Sequence, residues 1–524
     1  VTARGSSFRL AGLIGGATIL SKVIALVRDQ LIAYSFGTSA GVDAFNIAYK
    51  LPGFMLTLLG GVNGPFYSAV VSVIGRRGKK RLGPLIETIN TLTLVLMGLV
   101  AGLLWVGAPL LVGLVAQGAS ALVQSLAVEQ LRIMAPMAVL AGLIGVGFGV
   151  LTSAGRFALP TLSPIFSSLA VILALLLFGS RDPNILAWGV LVGAVAQWLA
   201  QIPLQWKLGL GGLRLRWHFR TRAVREFVGV MAPASGSSLL SNINVYTDLY
   251  FASGLAQGVI AALGYANLLV QAPLGILSNI LLIPALPAFS RLTAPDDRPE
   301  LRRLLRQTLV TVLILVLPLS ALTIALCVPV VAIIYERGRF GSEDTRLVAA
   351  LLAGAALGMV FYLARDLVIR VFYALGEAQL PLRVSLIGIV ANLVLDWLLI
   401  RLFGPIGLPL ATTGVSALAC LLLVLALRRR LGRLGWSGLG GTALYLVGAS
   451  LLSGGASWQA LALLTGWWPF PGTLADLVRL AIAATCGLAV CALWIGLLPN
   501  KEVREMLGPL ARRLLRRRAE RSRS

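Results

Sequence analysis

"GVLTSAGRFALPTLSPIF" (Gly149–Phe166) and "RVFYALGEAQLPLRVSLI" (Arg370–Ile387) can be laid on one another, with Gly155 on Gly376, Leu159-Pro160 on Leu380-Pro381, and Ala158 beside Ala378 or Gln379. Each stretch carries an apolar run through a glycine turn into a proline-started apolar run, the punctuation of one helix ending and another starting. Nearly the same offset brings "LVGLVAQG" (Leu111–Gly118) close to "VAIIYERG" (Val331–Gly338). One such match means little in so repetitive a composition, but two at one spacing point to a duplicated chain. Its halves then share an orientation, and parallel repeats about a central axis are how several secondary transporters build a cavity that opens alternately to each side.

The rest of the chain agrees with a membrane setting. Of its 524 residues 58% are hydrophobic and only 12% charged, and the mean hydropathy is +0.88. Apolar blocks of roughly 20 residues, enough to cross about 30 Å of hydrocarbon, recur about fourteen times with short connections. That leaves no room for a large soluble domain. The expected fold is an all-α polytopic membrane protein of two lobes, about six helices each, around a central cavity. The expected division is a first lobe over 1–220, a second over 221–433, a terminal helix pair over 434–500 and a basic tail over 501–524.

The net charge of +25 is not spread evenly. It gathers in "RRGKKR" (Arg76–Arg81), "RLRWHFRTRAVR" (Arg214–Arg225), the arginines between Arg291 and Arg306, "RRRLGR" (Arg428–Arg433) and the carboxyl end, each following an even-numbered predicted span. The alternate connections, "SFGTSAG", "AQGAS", "SRDPN" and "WWPFPGT", hold few cations. This positive-inside pattern places both termini in the cytoplasm. The tail is expected to lie on anionic lipid, and no binding fold accompanies the charge to suggest nucleic acid. The opening "VTARGSSFRL" has no small-residue cleavage site and reads as a retained cytoplasmic start. Cys327, Cys420, Cys486 and Cys491 all fall inside apolar runs, without metal or redox spacing.

A charge near mid-bilayer costs about 2.5–3.5 kcal/mol on insertion scales, so charges inside spans usually face a cavity and mark a substrate or ion path. "SKVIALVRDQLIAYSFGTSAGVDAF" (Ser21–Phe45) places Lys22, Arg28 and Asp29 in an apolar run, with Asp43 and then Lys50 following. Lys22 and Asp29 share a helix face and Arg28 points elsewhere. Either these cations line a cavity, or Arg28 and Lys50 pair with Asp29 and Asp43 and pin the first two helices together. A second cluster holds Arg365, Asp366 and Arg370. Asp366 and Arg370 have ion-pair spacing, which leaves Arg365 to find another partner or an anionic ligand. Asn392 and Asp396 lie one helical turn apart, with Asp248 and Thr412 in other spans. All are oxygen donors, suited either to a hard monovalent cation, to a proton relay or to separate structural contacts.

Pro52, Gly53, Gly60, Gly61, Gly64 and Pro65 punctuate the second span, as a cavity-lining backbone or a close-packed one would require. The single histidine, His218, lies in a basic connection, and neither a phosphate-cradling loop nor metal-ligand spacing is present. An enzyme is not expected.

"SKVIALVRDQLIAYSFGTSAGVDAFNIAYKLP" (Ser21–Pro52) resembles the amino-terminal signature of the MurJ (MviN) family, lipid II flippases of the MOP exporter superfamily. "GRFALPTLSP" and "RVFYALGEAQLP" continue the likeness over most of the chain. The resemblance implies two six-helix lobes and a final helix pair that, with the second lobe, forms a groove for a polyprenyl tail. It implies transport of undecaprenyl-diphosphate-linked disaccharide-pentapeptide, lipid II, across the bacterial inner membrane by a monomer, with no cofactor other than a sodium ion that could couple the movement. Lys22, Arg28, Asp43 and Lys50 fall on the family's cavity positions. Asp248, Asn392, Asp396 and Thr412 resemble its sodium site, with the Leu408 carbonyl as a further ligand.

The chain also departs from that pattern. Leu56 stands where many members have arginine, and Ala266–Pro273 lacks an Asp-Arg pair and a glutamate found there. The likeness therefore leaves room for another polyprenyl-linked glycan as cargo. A cation-coupled multidrug exporter of the same superfamily would instead need an acidic cavity. A membrane glycosyltransferase would need acidic outer loops, and here only "ERGRFGSEDTR" (Glu336–Arg346) offers any.

Overall fold

The computed structural model describes residues 2–61, 64–77, 82–179, 182–211, 214–240, 243–377, 379–432, 434–436, 438–467 and 472–497. Among these residues there is no strand, as expected where a membrane obliges every backbone amide to bond within its own segment. The chain forms two compact units, one of residues 1–264 with 337–344 and one of 265–336 with 345–524.

In the first unit α1 runs Thr2–Phe36 and α2 Ala40–Phe54, and α2 continues as a π-helical turn over Met55–Leu59 that closes with the Gly60 amide on the Met55 carbonyl at 3.0 Å. Pro52, inside α2, removes a ladder donor just before that turn. There follow α3 (Pro65–Arg77), α4 (Leu82–Val106), α5 (Ala108–Val115), α6 (Ala121–Met134), α7 (Met137–Ser153), α8 (Ala158–Leu162), α9 (Pro164–Phe178), α10 (Asn184–Leu199), α11 (Ile202–Lys207), α12 (Arg222–Leu240) and α13 (Ile243–Ser253). α7, almost wholly buried, sits at the middle and packs on α3, α4 and α10. Within this unit α12 packs on α3, and α13 on α5.

α14 (Val259–Ser290) begins at the end of the first unit. The second holds α15 (Arg298–Ala325), α16 (Cys327–Tyr335), most of α17 (Ser342–Ala374), α18 (Gln379–Phe403), α19 (Gly407–Leu431), α20 (Leu439–Trp467) and α21 (Thr473–Leu497). α18 and α19 pack on one another as a hairpin. α20 and α21 do the same and also lie on α15 and α16.

The duplication is visible in backbone detail. Gly155 and Gly376 both adopt φ of +77°, a left-handed conformation that glycine enters without the Cβ clash other residues meet. Around them the same capping bonds recur, Arg156 amide to Leu151 carbonyl and Glu377 amide to Phe372 carbonyl, both at 2.9 Å. Gly37, just past the end of α1, and Gly258, just before α14, also take positive φ. The long third helix of each half is interrupted at a matching place, at Gly107 between α4 and α5 and at Leu326 between α15 and α16.

Among the described residues nine helices are long and apolar enough to cross a membrane, or ten if the bent pair α6 and α7 counts as one span. This criterion does not reach fourteen. α1 carries Lys22, Arg28 and Asp29 along its length, α2 ends in the π-helical turn, and α13 has 11 residues. One of the nine runs over Gln379–Leu431 and so contains both arms of the α18–α19 hairpin.

Candidate functional site

The first-unit charges are arranged by α1 and α2. On α1 the Arg28 guanidinium folds onto its neighbour Asp29, with 2.7 Å from both Nε and Nη2 to Oδ1, and both side chains are largely buried. The pairing of Arg28 with Asp29, one of the two alternatives the sequence offers, is thus present, and it lies within α1. Adjacent residues diverge on a helix, yet an arginine side chain is long enough to double back. Lys22, two turns earlier, is exposed. Lys50 on α2 lines a narrow cleft with Ile47, Leu51, Val112, Leu131 and Tyr246, where burial weighs on it most and the Asp248 carboxylate of α13 offsets part of that.

Asp43 does something the sequence does not announce. Only 3% exposed, it accepts the Gly258 amide at 2.6 Å through Oδ2 and the Ala261 amide at 2.7 Å through Oδ1. Asp43 thus caps the start of α14, where orphan amides and the helix dipole both favour a carboxylate. The suggested pairing of Asp43 with Arg28 or Lys50 gives way to this cap, whose donors lie far along the chain. Asp344 makes a comparable tie, accepting the Thr38 hydroxyl and the Gly341 amide, while the Arg339 amide donates to the Tyr34 carbonyl at 3.0 Å.

In the second unit the expected Asp366–Arg370 pair is also corrected. Arg365 holds Asp366, at 3.0 Å from Nε and 2.9 Å from Nη2, and its Nη1 reaches Ser416 on α19 at 3.3 Å. Through the Ser416 hydroxyl, Arg365 thereby ties α17 to α19. Arg370 is half-buried and makes no ion pair among the described residues.

α18 buries Asn392 and Asp396, at 1% and 0% exposure, and the Asn392 amide donates to Asp396 Oδ2 at 3.1 Å. On α19 the Thr412 hydroxyl donates to the Leu408 carbonyl at 3.1 Å. These four residues lie on the two arms of one hairpin, whereas Asp248 lies in the first unit. A buried carboxylate with amide, hydroxyl and carbonyl oxygens on adjoining helices is a donor set that fits a hard cation. Among the described residues no group of three or more His, Cys, Asp or Glu side chains could hold a metal.

Further charges inside apolar helices, two of them buried and Arg132 exposed, were within reach of the same rule and were not singled out. Glu87 in α4, 7% exposed, pairs with Arg216 at 2.5 Å. Arg479 in α21, 9% exposed, pairs with Asp476 at 2.8 Å. Arg132 of α6 stacks 5.2 Å from the ring centre of Trp105. Each is a charge inside an apolar run, which was the available signal.

The family model described as lipid II flippase MurJ matches residues 32–475. A "Probable lipid II flippase MurJ" from Synechocystis sp. is 42% identical over 95% of this chain and 96% of its own. A "Lipid II flippase MurJ" from Burkholderia cenocepacia is 29% identical over 94% and 96%. Among solved structures, a "Lipid II flippase MurJ, inward closed conformation" superposes with a TM-score of 0.74 at 22% identity, over 93% of this chain and all of the other. An inward-facing multidrug resistance transporter of the MATE family, MOP superfamily, gives 0.62 at 18% identity over 78% and 94%. The last two likenesses establish the fold.

Proposed function

The chain belongs to the lipid II flippase MurJ family, and on that premise we propose that it moves lipid II from the inner to the outer leaflet of the bacterial plasma membrane. The family match over residues 32–475 carries this reading. Transport leaves the substrate chemically unchanged, and the protein acts as a monomer with both termini in the cytoplasm, its basic tail on anionic lipid. The tail, 501–524, lies outside the described residues.

The diphosphate headgroup is met by Lys22, Arg28 and Arg370. A cation in a low-dielectric cavity attracts a diphosphate far more strongly than one in water. Arg28 presents its N–H donors in a planar fork that matches phosphate oxygens. Lys50, answered by Asp248, and Arg365, answered by Asp366, complete the basic lining. Asp43 contributes by holding the start of α14 in place. The polyprenyl tail runs along α20 and α21, and the cavity opens alternately to the two leaflets.

A sodium ion held by Asn392, Asp396, the Leu408 carbonyl and Thr412 supplies the coupling, with Asp248 as the remaining candidate ligand. The membrane potential acts in the same direction on any net charge that moves, at about 2.3 kcal/mol per charge per 100 mV.

Replacing Arg28 with Ala in a flippase-depleted bacterium tests the assignment. The variant should insert normally and fail to restore growth, and normal growth would overturn the reading. One observation favours a second reading, a flippase for another polyprenyl-linked glycan. Leu56, where many members of the family carry a cation, is buried at 8% exposure in the π-helical turn and offers the headgroup nothing. Depleting the protein and identifying the lipid-linked precursor that accumulates separates the two.

A further inference from the structure

Between α11 and α12 the chain makes an extended strap, and residues 214–219 are neither helix nor turn until Phe219. It is fastened at one point. The Arg216 amide donates to the Thr91 hydroxyl at 2.9 Å, and the Arg216 guanidinium grips Glu87 at 2.5 Å. Thr91 and Glu87 are both buried on α4, at 1% and 7% exposure. At its far end the Thr221 hydroxyl accepts the Val224 amide and caps α12.

With Arg216 turned inward, the strap offers its other side chains outward. Leu215 and Trp217 are 61% and 65% exposed, and Trp217 is held edge-on by Phe219 with ring centres 5.6 Å apart. Arg214, Arg220, Arg222 and Arg225 are all exposed around them. Of these, Arg222 is partly answered by Glu226 at 3.2 Å. A tryptophan and a leucine set among arginines, fixed in place by the half-exposed Arg216 on the buried Glu87, suit neither water nor the hydrocarbon core. They suit the boundary, where an indole sits at headgroup level and cations meet lipid phosphate. The positive charge selects the occupant, since each Lys or Arg near an anionic membrane surface contributes about 1 kcal/mol.

We propose that the strap 214–225 is a binding site for anionic glycerophospholipid, with Trp217 and Leu215 entering the interface and Arg214, Arg220 and Arg225 contacting the headgroup phosphates. Its side of the membrane follows the charge distribution, which assigns this connection to the cytoplasmic leaflet. The site is separate from the substrate cavity proposed above and does not depend on the substrate's identity. Because Arg216 ties the strap to α4, lipid held here braces the third helix of the first half.

The test uses the full chain in liposomes doped with brominated phosphatidylglycerol or brominated phosphatidylcholine. The contribution of Trp217 to fluorescence quenching is isolated by comparison with Trp217→Phe. Quenching of that component should be at least about twofold stronger with phosphatidylglycerol. The excess should vanish in the R214Q/R220Q/R225Q variant, which leaves the fastening residues untouched. Equal quenching by the two lipids would reduce the strap to an ordinary interfacial segment and overturn the proposal. So would a Trp217 component that neither lipid quenches, the result expected of a strap facing water or a protein partner. Displacement of the brominated lipid by stoichiometric undecaprenyl diphosphate would also overturn it, by making the strap part of the substrate path.

Discussion

Asp43 gives the sharpest contrast between what a residue's position suggests and what it does. In the sequence it is an acid close to Arg28 and Lys50. In the fold both its oxygens are taken by the Gly258 and Ala261 amides. An N-cap is worth about 0.5–2 kcal/mol, and hydrogen bonds to a charged acceptor fall near the upper end. Asp43→Ala should therefore lower stability by about 2 kcal/mol and Asp43→Asn, which keeps one acceptor, by roughly half. Thermal unfolding in detergent measures both, and equal loss in the two would mean that the cap is not what Asp43 supplies. Charges such as Arg28 and Asp396 were legible because any ion in an apolar run stands out. Their partners were not, since contacts such as Asp43 to Gly258 or Arg365 to Ser416 join residues with no local signature between them. Arg28 to Asp29 was legible, because the two charges are neighbours in one apolar run.

At the scale of elements, the duplicated helix–glycine–helix joint was the most readable feature of the chain, because a left-handed helix end demands glycine and so leaves a mark in sequence. Gly155 and Gly376 have nothing within 4 Å of where a Cβ would stand. Alanine at either site thus meets only the backbone cost of a positive φ, about 1–2 kcal/mol. Gly155→Ala and Gly376→Ala should lower stability by similar amounts, and the double variant by their sum, because the sites lie in separate units. Denaturation of the two single variants and the double variant in one detergent checks this, and a large inequality would mean that the two joints are not equivalent. The interruption of the second span was marked by Pro52, Gly53 and Gly60, whereas the helix breaks at Gly107 and Leu326 were not legible. Apolar runs continue through them, and hydropathy does not register a lost backbone bond. For the same reason, counting blocks of span length gives about fourteen, while among the described residues helices long and apolar enough on their own number nine, or ten with the bent pair.

For the whole molecule the open matters are the coupling ion and the seat of the lipid tail, and each has a direct measurement. A sodium ion bound only by the folded protein stabilises it by an amount set by mass action, about 2.7 kcal/mol when free sodium is roughly 100 times its Kd. The wild-type protein should unfold at higher temperature in NaCl than in an equal concentration of choline chloride, and Asp396→Asn should remove that difference. A salt-independent midpoint in the wild type would exclude the site.

The terminal pair is tested through its tightest contact. A Cβ on Gly487 would stand 1.9 Å from Ser457 Oγ and 2.6 Å from the Ser453 carbonyl, while the Ser453 hydroxyl already donates to the Gly487 carbonyl at 2.8 Å. Gly487→Ala must therefore push α20 away from α21, at an overpacking cost of about 1–3 kcal/mol. Adding Ser457→Ala should recover part of this, since it removes the nearer atom and leaves the carbonyl. If the tail travels along this pair, Gly487→Ala in liposomes will slow transfer of a full-length undecaprenyl substrate several-fold more than that of a short-chain analogue with the same headgroup. Equal slowing of both would make the pair a structural brace, and the tail's path would then have to be sought elsewhere.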